Sequence, residues 1–324
     1  MLTAIVIVAA IAIVYSLLVR FVFSTSPKRI TNFAGKHVFI TGGSTGLGLS
    51  LAGQLASQGA KISIAARSAQ RLKAAEREVE GRVKGQGSIH SYEADVTQYE
   101  SIQKSIAKAS EENGAPDILI LNAGSSRTGY FLEIPVEDLQ KEVQLNYMGC
   151  VHSIKAALPK MIENGGGHIV FVSSAAALLP FIGYANYSAT KCALKGLADA
   201  LRNELILYNI DVSIFYPSNI NTEGFAEENK TKPAETKEIE GPASLLSPDQ
   251  CATFLIKAMQ SGHFTATNEF FPVELMRVVA QGVSSRHNVL MDIILAPIVV
   301  LVSPFILWGI DGVVRKKRDS LKKK

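Results

Sequence analysis

The middle of the chain, from about Phe33 to Phe271, alternates short apolar runs with longer amphipathic stretches. The apolar runs have the length of buried strands, and a segment of helical length separates each run from the next. The predicted strands are His37–Thr41, Lys61–Ala65, Ser88–Glu93, Ile118–Leu121, His168–Ser173 and Asp211–Tyr216. This alternation predicts an α/β fold, in which helices cover both faces of a doubly wound parallel sheet.

The N-terminal end is more apolar than this middle region. Leu2–Val19 carries no charge, and at ~1.5 Å per helical residue it is long enough to cross most of a ~30 Å hydrocarbon core. Basic residues follow the run instead of preceding it, which favours an uncleaved anchor over residues 1–22 and not a signal peptide. Because Lys and Arg beside a span stay in the cytoplasm, we expect a lumenal N-terminus and a cytosolic main domain over residues 33–271.

The C-terminal end is also apolar, over residues 289–314, but Asp292, Pro297 and Pro304 interrupt it and a basic tail follows at residues 315–324. A single span would place this tail in the lumen, so we prefer a helical hairpin that re-enters the membrane and bends near the prolines. A helix on the membrane surface is the alternative. The sequence therefore predicts a membrane-associated segment without deciding its topology.

The charge distribution argues against a nucleic-acid-binding protein. The formal net charge is +4, but the last ten residues contribute seven basic side chains and one aspartate, or +6, which leaves 4 − 6 = −2 for the rest. Such a tail fits anionic lipid headgroups better than a nucleic acid. The three cysteines are widely spaced, without a metal-ligand pattern, and predict reduced thiols and no metal site.

A glycine-rich turn follows the first predicted strand directly, and a helix is expected from Leu49 to Gln58. Glycines at such a turn allow the backbone to approach a pyrophosphate, which the N–H groups of the new helix then bind. Since the turn opens the first strand–helix–strand unit, it predicts a Rossmann dinucleotide site. The predicted cofactor-binding residues of this turn are Gly42, Ser44, Thr45, Gly46 and Gly48.

The end of the second strand indicates which dinucleotide binds. An acidic side chain there would hydrogen-bond the ribose hydroxyls of NAD, but the strand ends Ala65-Ala66-Arg67. Arg67, with Arg71 one helical turn later, can pair with the 2′-phosphate of NADP. The sequence therefore predicts NADPH as the cofactor.

Further residues, in the same order along the chain, resemble the signature of the short-chain dehydrogenase/reductase family. They are the glycine turn, Asp95, Asn122-Ala123-Gly124, Asn146, Ser174, Tyr187 with Lys191, and Pro217 with Thr222. The resemblance implies an oxidoreductase in which Tyr187 protonates a ketone oxygen while the nicotinamide delivers hydride. Tyr187 and Lys191 are four residues apart on a predicted helix, and a neighbouring ammonium is expected to lower the pKa of the phenol.

The resemblance also implies roles for the remaining residues. Ser174 would hydrogen-bond the substrate oxygen, and Asn146 would hold a water that relays protons to Lys191. Asp95 would contact adenine, Asn122 the adenosine ribose, and Thr222 the carboxamide. Asp95 as a turn-forming residue is the ordinary alternative. Homodimers or homotetramers built on the Tyr187 helix are also expected.

The segment from Thr222 to Pro233, with the two apolar ends, resembles a membrane-bound branch of this family that acts in sphingolipid synthesis at the endoplasmic reticulum, facing the cytosol. The implied substrate is a long-chain amino ketone residing in a bilayer. Glu223, Glu227 or Glu228 could pair with its ammonium group, although solvated surface carboxylates are the ordinary alternative. A membrane hydroxysteroid dehydrogenase, another long-chain ketone reductase and a non-catalytic NADPH-binding protein stay open as alternatives.

Overall fold

A computed structural model describes residues 10–11, 13–17, 28, 30–85, 87–241, 245–282, 284–286 and 288–321. Its central element is a seven-stranded sheet in which every pairing is parallel. The strands are β1 (His37–Thr41), β2 (Lys61–Ala66), β3 (Ser88–Glu93), β4 (Ile118–Leu121), β5 (Gly167–Val172), β6 (Ile210–Tyr216) and β7 (Thr265–Thr267). Their order, β3-β2-β1-β4-β5-β6-β7, confirms the predicted doubly wound fold.

Helices connect the strands and cover both faces of the sheet. They are α1 (Gly46–Ala56), α2 (Ala69–Glu80), α3 (Tyr99–Asn113), α4 (Val136–Val143), α5 (Gly149–Glu163), α6 (Ala185–Glu204), α7 (Glu223–Thr231), α8 (Ala234–Glu240), α9 (Pro248–Ser261), α10 (Leu275–Ala280) and α11 (Val289–Leu321). A short π-helix (Gln144–Met148) joins α4 to α5.

Side chains of the central strands point alternately to two separate apolar cores. Val38 and Ile40 of β1 pack in one core with residues of α1 and α9, whereas Phe39 packs in the other with residues of α3, α5 and α6. Strands that are buried on both faces need continuous apolar runs, which explains why β1 and β4 show no polar alternation. The strand order reverses between β1 and β4, and clefts that bind ligands form at the carboxyl ends of strands at such a point.

Two details of the core fold differ from the sequence-based expectation. The edge strand β7 was not predicted, because three residues of sequence Thr-Ala-Thr are too short and too polar to form an apolar run. Helix α1 begins at Gly46 and not at Leu49, so the last two glycines of the turn already lie in its first helical turn. The helix N-terminus is therefore part of the glycine turn itself.

The expected C-terminal hairpin is wrong, since α11 runs as one continuous helix from Val289 to Leu321 through both prolines. Pro304 cannot donate a hydrogen bond to the Val300 carbonyl oxygen. The Ser303 hydroxyl donates to this oxygen instead, at 2.9 Å. Within the described residues, α11 is the helix that is long and apolar enough to cross a membrane, with a mean hydropathy of 2.5 in its most apolar window.

The expected N-terminal anchor, residues 1–22, lies largely outside the described residues. Residues 10–11 and 13–17 of this segment are helical, and Ile11, Val14 and Leu17 are exposed apolar side chains. The anchor stays a prediction.

Candidate active site

The glycine turn lies between β1 and α1, where no side chain larger than hydrogen fits. Gly42 has a φ of +66°, and a Cβ atom added at Gly48 would lie 2.3 Å from the Gly42 carbonyl oxygen. The Asn122 side-chain amide holds the turn from the end of β4, because its Nδ2 donates to the carbonyl oxygens of Thr41 and Gly42 at 3.2 and 3.0 Å. The Asn122 side chain therefore holds the shape of the turn by binding the backbone of the turn.

The N-terminus of α1 fits a phosphate group. Within the described residues, the side chain of the N-cap residue Thr45 makes no capping hydrogen bond, and the first turn of the helix contains no acidic residue. The first N–H groups of a helix without such a cap are free to bind an anion, and the helix dipole adds to the attraction. Ser44 and Thr45 lie at this end and are accessible to solvent.

Positive charge lies beside this turn at the end of β2. Arg67 directly follows the strand and is exposed, and Arg71 on α2 pairs with Glu223 at 3.4 Å, with both side chains exposed. An exposed ion pair of this kind contributes little to stability, so Arg71 can exchange this partner for a phosphate. The residue that directly follows β2, where an NAD-binding site would carry a carboxylate, is Arg67.

Ser174, Tyr187 and Lys191 come together at the carboxyl end of β5. Lys191 is buried, and its Nζ donates to the Val172 carbonyl oxygen at 3.0 Å and lies 5.7 Å from the centroid of the Tyr187 ring. The Ser174 hydroxyl accepts from the Ala176 backbone N–H at 3.1 Å, and its interaction with the Tyr187 phenol lowers the pKa of that phenol. These contacts fix the three predicted catalytic groups relative to one another.

Asn146 is fully buried behind this group, in the π-helix between α4 and α5. Its Oδ1 accepts from the Ser125 N–H and its Nδ2 donates to the Ser125 carbonyl oxygen, both at 2.9 Å. Nδ2 also donates to the Thr190 hydroxyl at 3.1 Å. A Cβ atom at Gly124 would lie 3.1 Å from Asn146 Oδ1 and 3.3 Å from Lys191 Nζ. Gly124 therefore keeps open the space that joins Asn146 to Lys191.

The electrostatics of Tyr187 differ from the expected pattern. Burial, together with the negative charges of Glu228 and Glu142, raises the pKa of Tyr187, and the Ser174 hydrogen bond offsets this only in part. Burial also lowers the pKa of Lys191. The ammonium lies over the ring and is bound to a carbonyl oxygen, so it does not produce the expected fall in the phenol's pKa. Tyr187 is therefore protonated, as a proton donor must be.

A buried carboxylate that the sequence analysis missed lies beside the catalytic group. Glu142 Oε1 accepts from the Arg127 N–H at 2.7 Å, and its Oε2 accepts from Asn186 Nδ2 at 2.6 Å. Burial raises the pKa of Glu142. The sequence did contain a signal for Glu142. It lies four residues before Asn146, and residues at this spacing share a helix face.

A second group of charged residues lies beside Tyr187, where α7 and α8 meet the start of α6, and we call it the lid cluster: Tyr184, Glu228, Lys232 and Glu240. The Lys232 Nζ lies 3.1 Å from Glu228 and 2.8 Å from Glu240, and the Tyr184 hydroxyl lies within hydrogen-bond distance of both carboxylates. Two carboxylates thus share one ammonium, which leaves one excess negative charge in the cluster. The Tyr184 ring lies 5.9 Å from the Tyr187 ring, centroid to centroid.

The three glutamates considered as ammonium partners occupy different environments. Glu223 and Glu227 are exposed and pair with Arg71 and Lys230 on the surface. The side chain of Glu228 is only 13% exposed, against 70% for Glu227. Because a charge acts more strongly where water is excluded, Glu228 is the glutamate of the three that can act on a bound substrate.

The two remaining predicted residues, Asp95 and Thr222, have different surroundings. Asp95 Oδ1 accepts from the Thr97 N–H and hydroxyl at 2.9 and 2.8 Å, so its side chain forms a local turn. Thr222 caps α7 by accepting from the Phe225 N–H at 3.1 Å. Its Cγ2 would lie 3.0 Å from a Cβ at Gly46, so Thr222 lies against the glycine turn.

These features together describe a nicotinamide-dependent oxidoreductase site, and comparison with known proteins agrees. The short chain dehydrogenase family profile matches residues 36–233. The chain therefore belongs to the short-chain dehydrogenase/reductase family, whose members are oxidoreductases that use NAD or NADP.

Its curated relatives carry a more specific name. A 3-ketodihydrosphingosine reductase of Dictyostelium discoideum is 36% identical and aligns with 97% of this chain and 99% of its own length. A 3-dehydrosphinganine reductase of Danio rerio is 34% identical, over 96% of this chain and 95% of its own. The chain is thus similar over almost its whole length to reductases of a sphingolipid base.

Solved structures share the fold. A short chain dehydrogenase/reductase of Burkholderia phymatum in complex with NAD superposes with a TM-score of 0.68 at 22% identity, covering 78% of this chain and 95% of that one. A dehydrogenase/reductase of Sinorhizobium meliloti gives a TM-score of 0.63 at 28% identity, with coverage of 75% and 96%.

Proposed function

We propose that this protein reduces 3-ketodihydrosphingosine to dihydrosphingosine with NADPH and with Tyr187 as the proton donor. One observation carries the proposal: a protonated Tyr187, which interacts with Ser174 and lies next to Lys191, is beside a lid cluster with one excess negative charge. The substrate is a ketone with an ammonium on the adjacent carbon, so a proton donor and a negative charge are both needed. The names of the relatives support the same substrate.

The catalytic residues have separable tasks. Reduced nicotinamide, when bound, supplies a hydride to the ketone carbon. The Tyr187 hydroxyl donates its proton to the ketone oxygen, and the Ser174 hydroxyl holds that oxygen in place. Lys191 lies beside the phenolate that remains and stabilises it, and its Nζ is already oriented by the Val172 carbonyl. Burial of the site strengthens each of these interactions.

NADPH is the form of the cofactor that the end of β2 supports. Removing both arginines by Arg67→Ala and Arg71→Ala should raise KM for NADPH about 10- to 100-fold, because bonds to a charged phosphate contribute ~1.5–3 kcal/mol. KM for NADH should change little, since NADH lacks the 2′-phosphate. Initial rates with each cofactor measure this difference.

Arg77→Ala provides the matched control for this pair. Arg77 lies in the last turn of α2, and its Nε donates to the Lys73 carbonyl oxygen within the helix. This variant loses a positive charge of the same helix but should leave both KM values unchanged. An equal rise in KM for NADPH and NADH in the double variant would contradict a 2′-phosphate contact.

The substrate itself is tested with the detergent-purified full chain. NADPH oxidation in the presence of 3-ketodihydrosphingosine is the expected result, with slower oxidation of NADH. A steroid ketone serves as the competing substrate. Turnover of the steroid ketone alone would contradict the proposed substrate and favour a hydroxysteroid dehydrogenase, while the family assignment would stand.

Membrane residence completes the proposal. The long apolar helix α11, the apolar N-terminal run and the basic tail support an enzyme that is held at the endoplasmic reticulum membrane with its catalytic domain in the cytosol. A substrate with a long hydrocarbon chain is concentrated in that membrane. Assembly into dimers or tetramers on α6 stays a prediction.

A further inference from the structure

Both ends of α11 are attached to the catalytic domain, and this restricts how the helix meets a membrane. Near its N-terminal end, Asp292 is 3% exposed. Its Oδ1 accepts from Arg277 at 3.0 Å and its Oδ2 from Arg286 at 2.8 Å. Arg277 is itself buried on α10 and also pairs with Glu274 at 2.6 Å. Glu274 in turn accepts from the Thr267 hydroxyl of β7 at 2.9 Å, which joins this group to the sheet of the catalytic domain. An ion pair this deep is costly to break, since separation leaves charges buried without partners.

The opposite end of the helix contacts α8. Lys317 Nζ lies 3.3 Å from the Glu235 carboxylate and 5.9 Å from the centroid of the Tyr130 ring. Lys316 pairs with Glu238 at 3.6 Å. Each exposed pair is weak, but together they place the last turns of α11 on the same domain that holds its first turn.

Between these ends the helix is largely exposed: within residues 300–309 only Ser303 is less exposed, and the partly covered positions lie nearer the two ends. The side that faces the protein is marked near the two ends by less exposed positions, among them Asp292, Leu295, Ala296, Val299, Ile310, Val314 and Lys317. The outward stripe consists of Ile294, Ile298, Leu301, Phe305 and Trp308. Its last three members are 73, 72 and 71% exposed. Large apolar side chains exposed in a row mark a surface that another apolar phase covers.

The length of the helix excludes a span while both ends stay attached. Asp292 and Lys317 are separated by 25 residues, or about 38 Å of helix at ~1.5 Å per residue, which exceeds the ~30 Å hydrocarbon core. A helix crossing the core would have its ends on opposite sides of the membrane. One catalytic domain cannot contact both.

We propose that α11 lies in the plane of the membrane surface, with the outward stripe immersed in a phospholipid bilayer and both ends on the side of the catalytic domain. The exposed Arg315, Lys316 and Arg318 beside the stripe suit the headgroup layer. The inference rests on the membrane association proposed above and is independent of the substrate.

This arrangement brings the lid of the active site to the membrane. Helix α8, which receives Lys317 through Glu235, also carries Glu240 of the lid cluster. The Tyr130 hydroxyl donates to Glu235 at 2.6 Å, and the Tyr184 hydroxyl lies 2.6 Å from Glu240. Helix α8, which borders the substrate site, therefore contacts α11, the helix that lies in the lipid.

Tryptophan quenching tests the orientation, because Trp308 is the single tryptophan of the chain. The full chain is reconstituted in vesicles whose phospholipids carry bromine at a shallow or a deep acyl position. Native Trp308 is compared with Trp308→Phe combined with Ile294→Trp or with Leu301→Trp. A helix in the plane places all three at one shallow depth, so shallow bromine should quench each of them more strongly than deep bromine, and to a similar extent.

Every other quenching pattern overturns the proposal. A span would separate positions 294 and 308 by about 21 Å in depth, and a hairpin would make position 301 the deepest. Absence of quenching at all three positions would mean that the stripe is covered by protein, such as a second copy of the chain. Trp308→Phe with Lys104→Trp, on the exposed face of α3, is the control for a position in water.

Labelling of the two ends provides a second test that needs no enzyme activity. In a Cys192→Ser background, which removes the exposed thiol, Asn288→Cys and Ser320→Cys are treated with a membrane-impermeant maleimide on sealed vesicles. Both should react from the side on which Lys104→Cys reacts. Protection of one end until detergent is added would show a span and overturn the proposal.

Discussion

Tyr187→Phe should lower kcat for ketone reduction by about 10²- to 10⁴-fold, the usual contribution of a positioned general acid. The variant keeps the ring against Tyr184 and removes only the hydroxyl that is the proposed proton donor. KM for NADPH should stay close to that of the wild type, because the glycine turn and the β2 arginines are untouched. Initial rates at saturating NADPH measure the loss.

Tyr99→Phe is the matched control, since it removes a tyrosine hydroxyl from α3, remote from the catalytic group. Binding of NADPH to both variants, followed by the fluorescence of the reduced nicotinamide, reports on folding. Wild-type turnover by a Tyr187→Phe protein that binds NADPH would remove Tyr187 from the mechanism.

Glu228→Gln should reduce kcat/KM for the amino ketone about 10- to 100-fold while leaving a keto analogue without the amine much less affected. The change removes one of the two carboxylates that share Lys232, so the excess negative charge of the lid cluster disappears. The loss of a charge-assisted contact is worth ~1.5–3 kcal/mol. The ratio of kcat/KM for the two substrates, in wild type and variant, is the quantity to measure.

The same variant has a second signature in the pH profile. Glu228 raises the pKa of Tyr187, so its neutralisation should bring that pKa down. Reduction needs the protonated phenol and its rate falls as pH rises through this pKa. The alkaline limb of kcat/KM should therefore move to lower pH in Glu228→Gln.

Glu227→Gln separates this effect from a general loss of negative charge on α7. Glu227 is adjacent in sequence but pairs with Lys230 at the surface, and both substrates and the pH profile should be unaffected. Equal losses for the amino ketone and the neutral ketone in Glu228→Gln would show that Glu228 maintains the lid without recognising the amine.

The fold could be predicted from the sequence, and a catalytic group proposed from it, because both depend on local patterns. Continuous apolar runs mark strands covered on both faces, and the glycine turn is required by contacts as close as that between Gly48 and Gly42. Tyr187 and Lys191 share a helix face by their spacing alone. The comparisons confirm the family that these residues indicated.

The features that could not be predicted from the sequence depend on contacts between segments that are distant along the chain. The lid cluster joins Tyr184 on one side to Glu240 on the other, 56 residues apart. The direction of the shift in the pKa of Tyr187 follows from how deeply the ring is buried and from Glu228, neither of which spacing reveals. The predicted hairpin was wrong because it rested on the helix-breaking effect of proline alone. The Ser303 hydroxyl replaces the hydrogen bond that Pro304 cannot donate.

The contact between α11 and α8 has a kinetic consequence. An enzyme whose lid rests on a helix in the lipid receives its substrate by two-dimensional diffusion within the leaflet, so its saturation is set by the mole fraction of substrate in that leaflet. Adding inert phospholipid at a fixed bulk amount of substrate should then slow turnover by surface dilution, although the total concentration in the assay is unchanged. In a cell, the local lipid composition around each molecule would govern its flux.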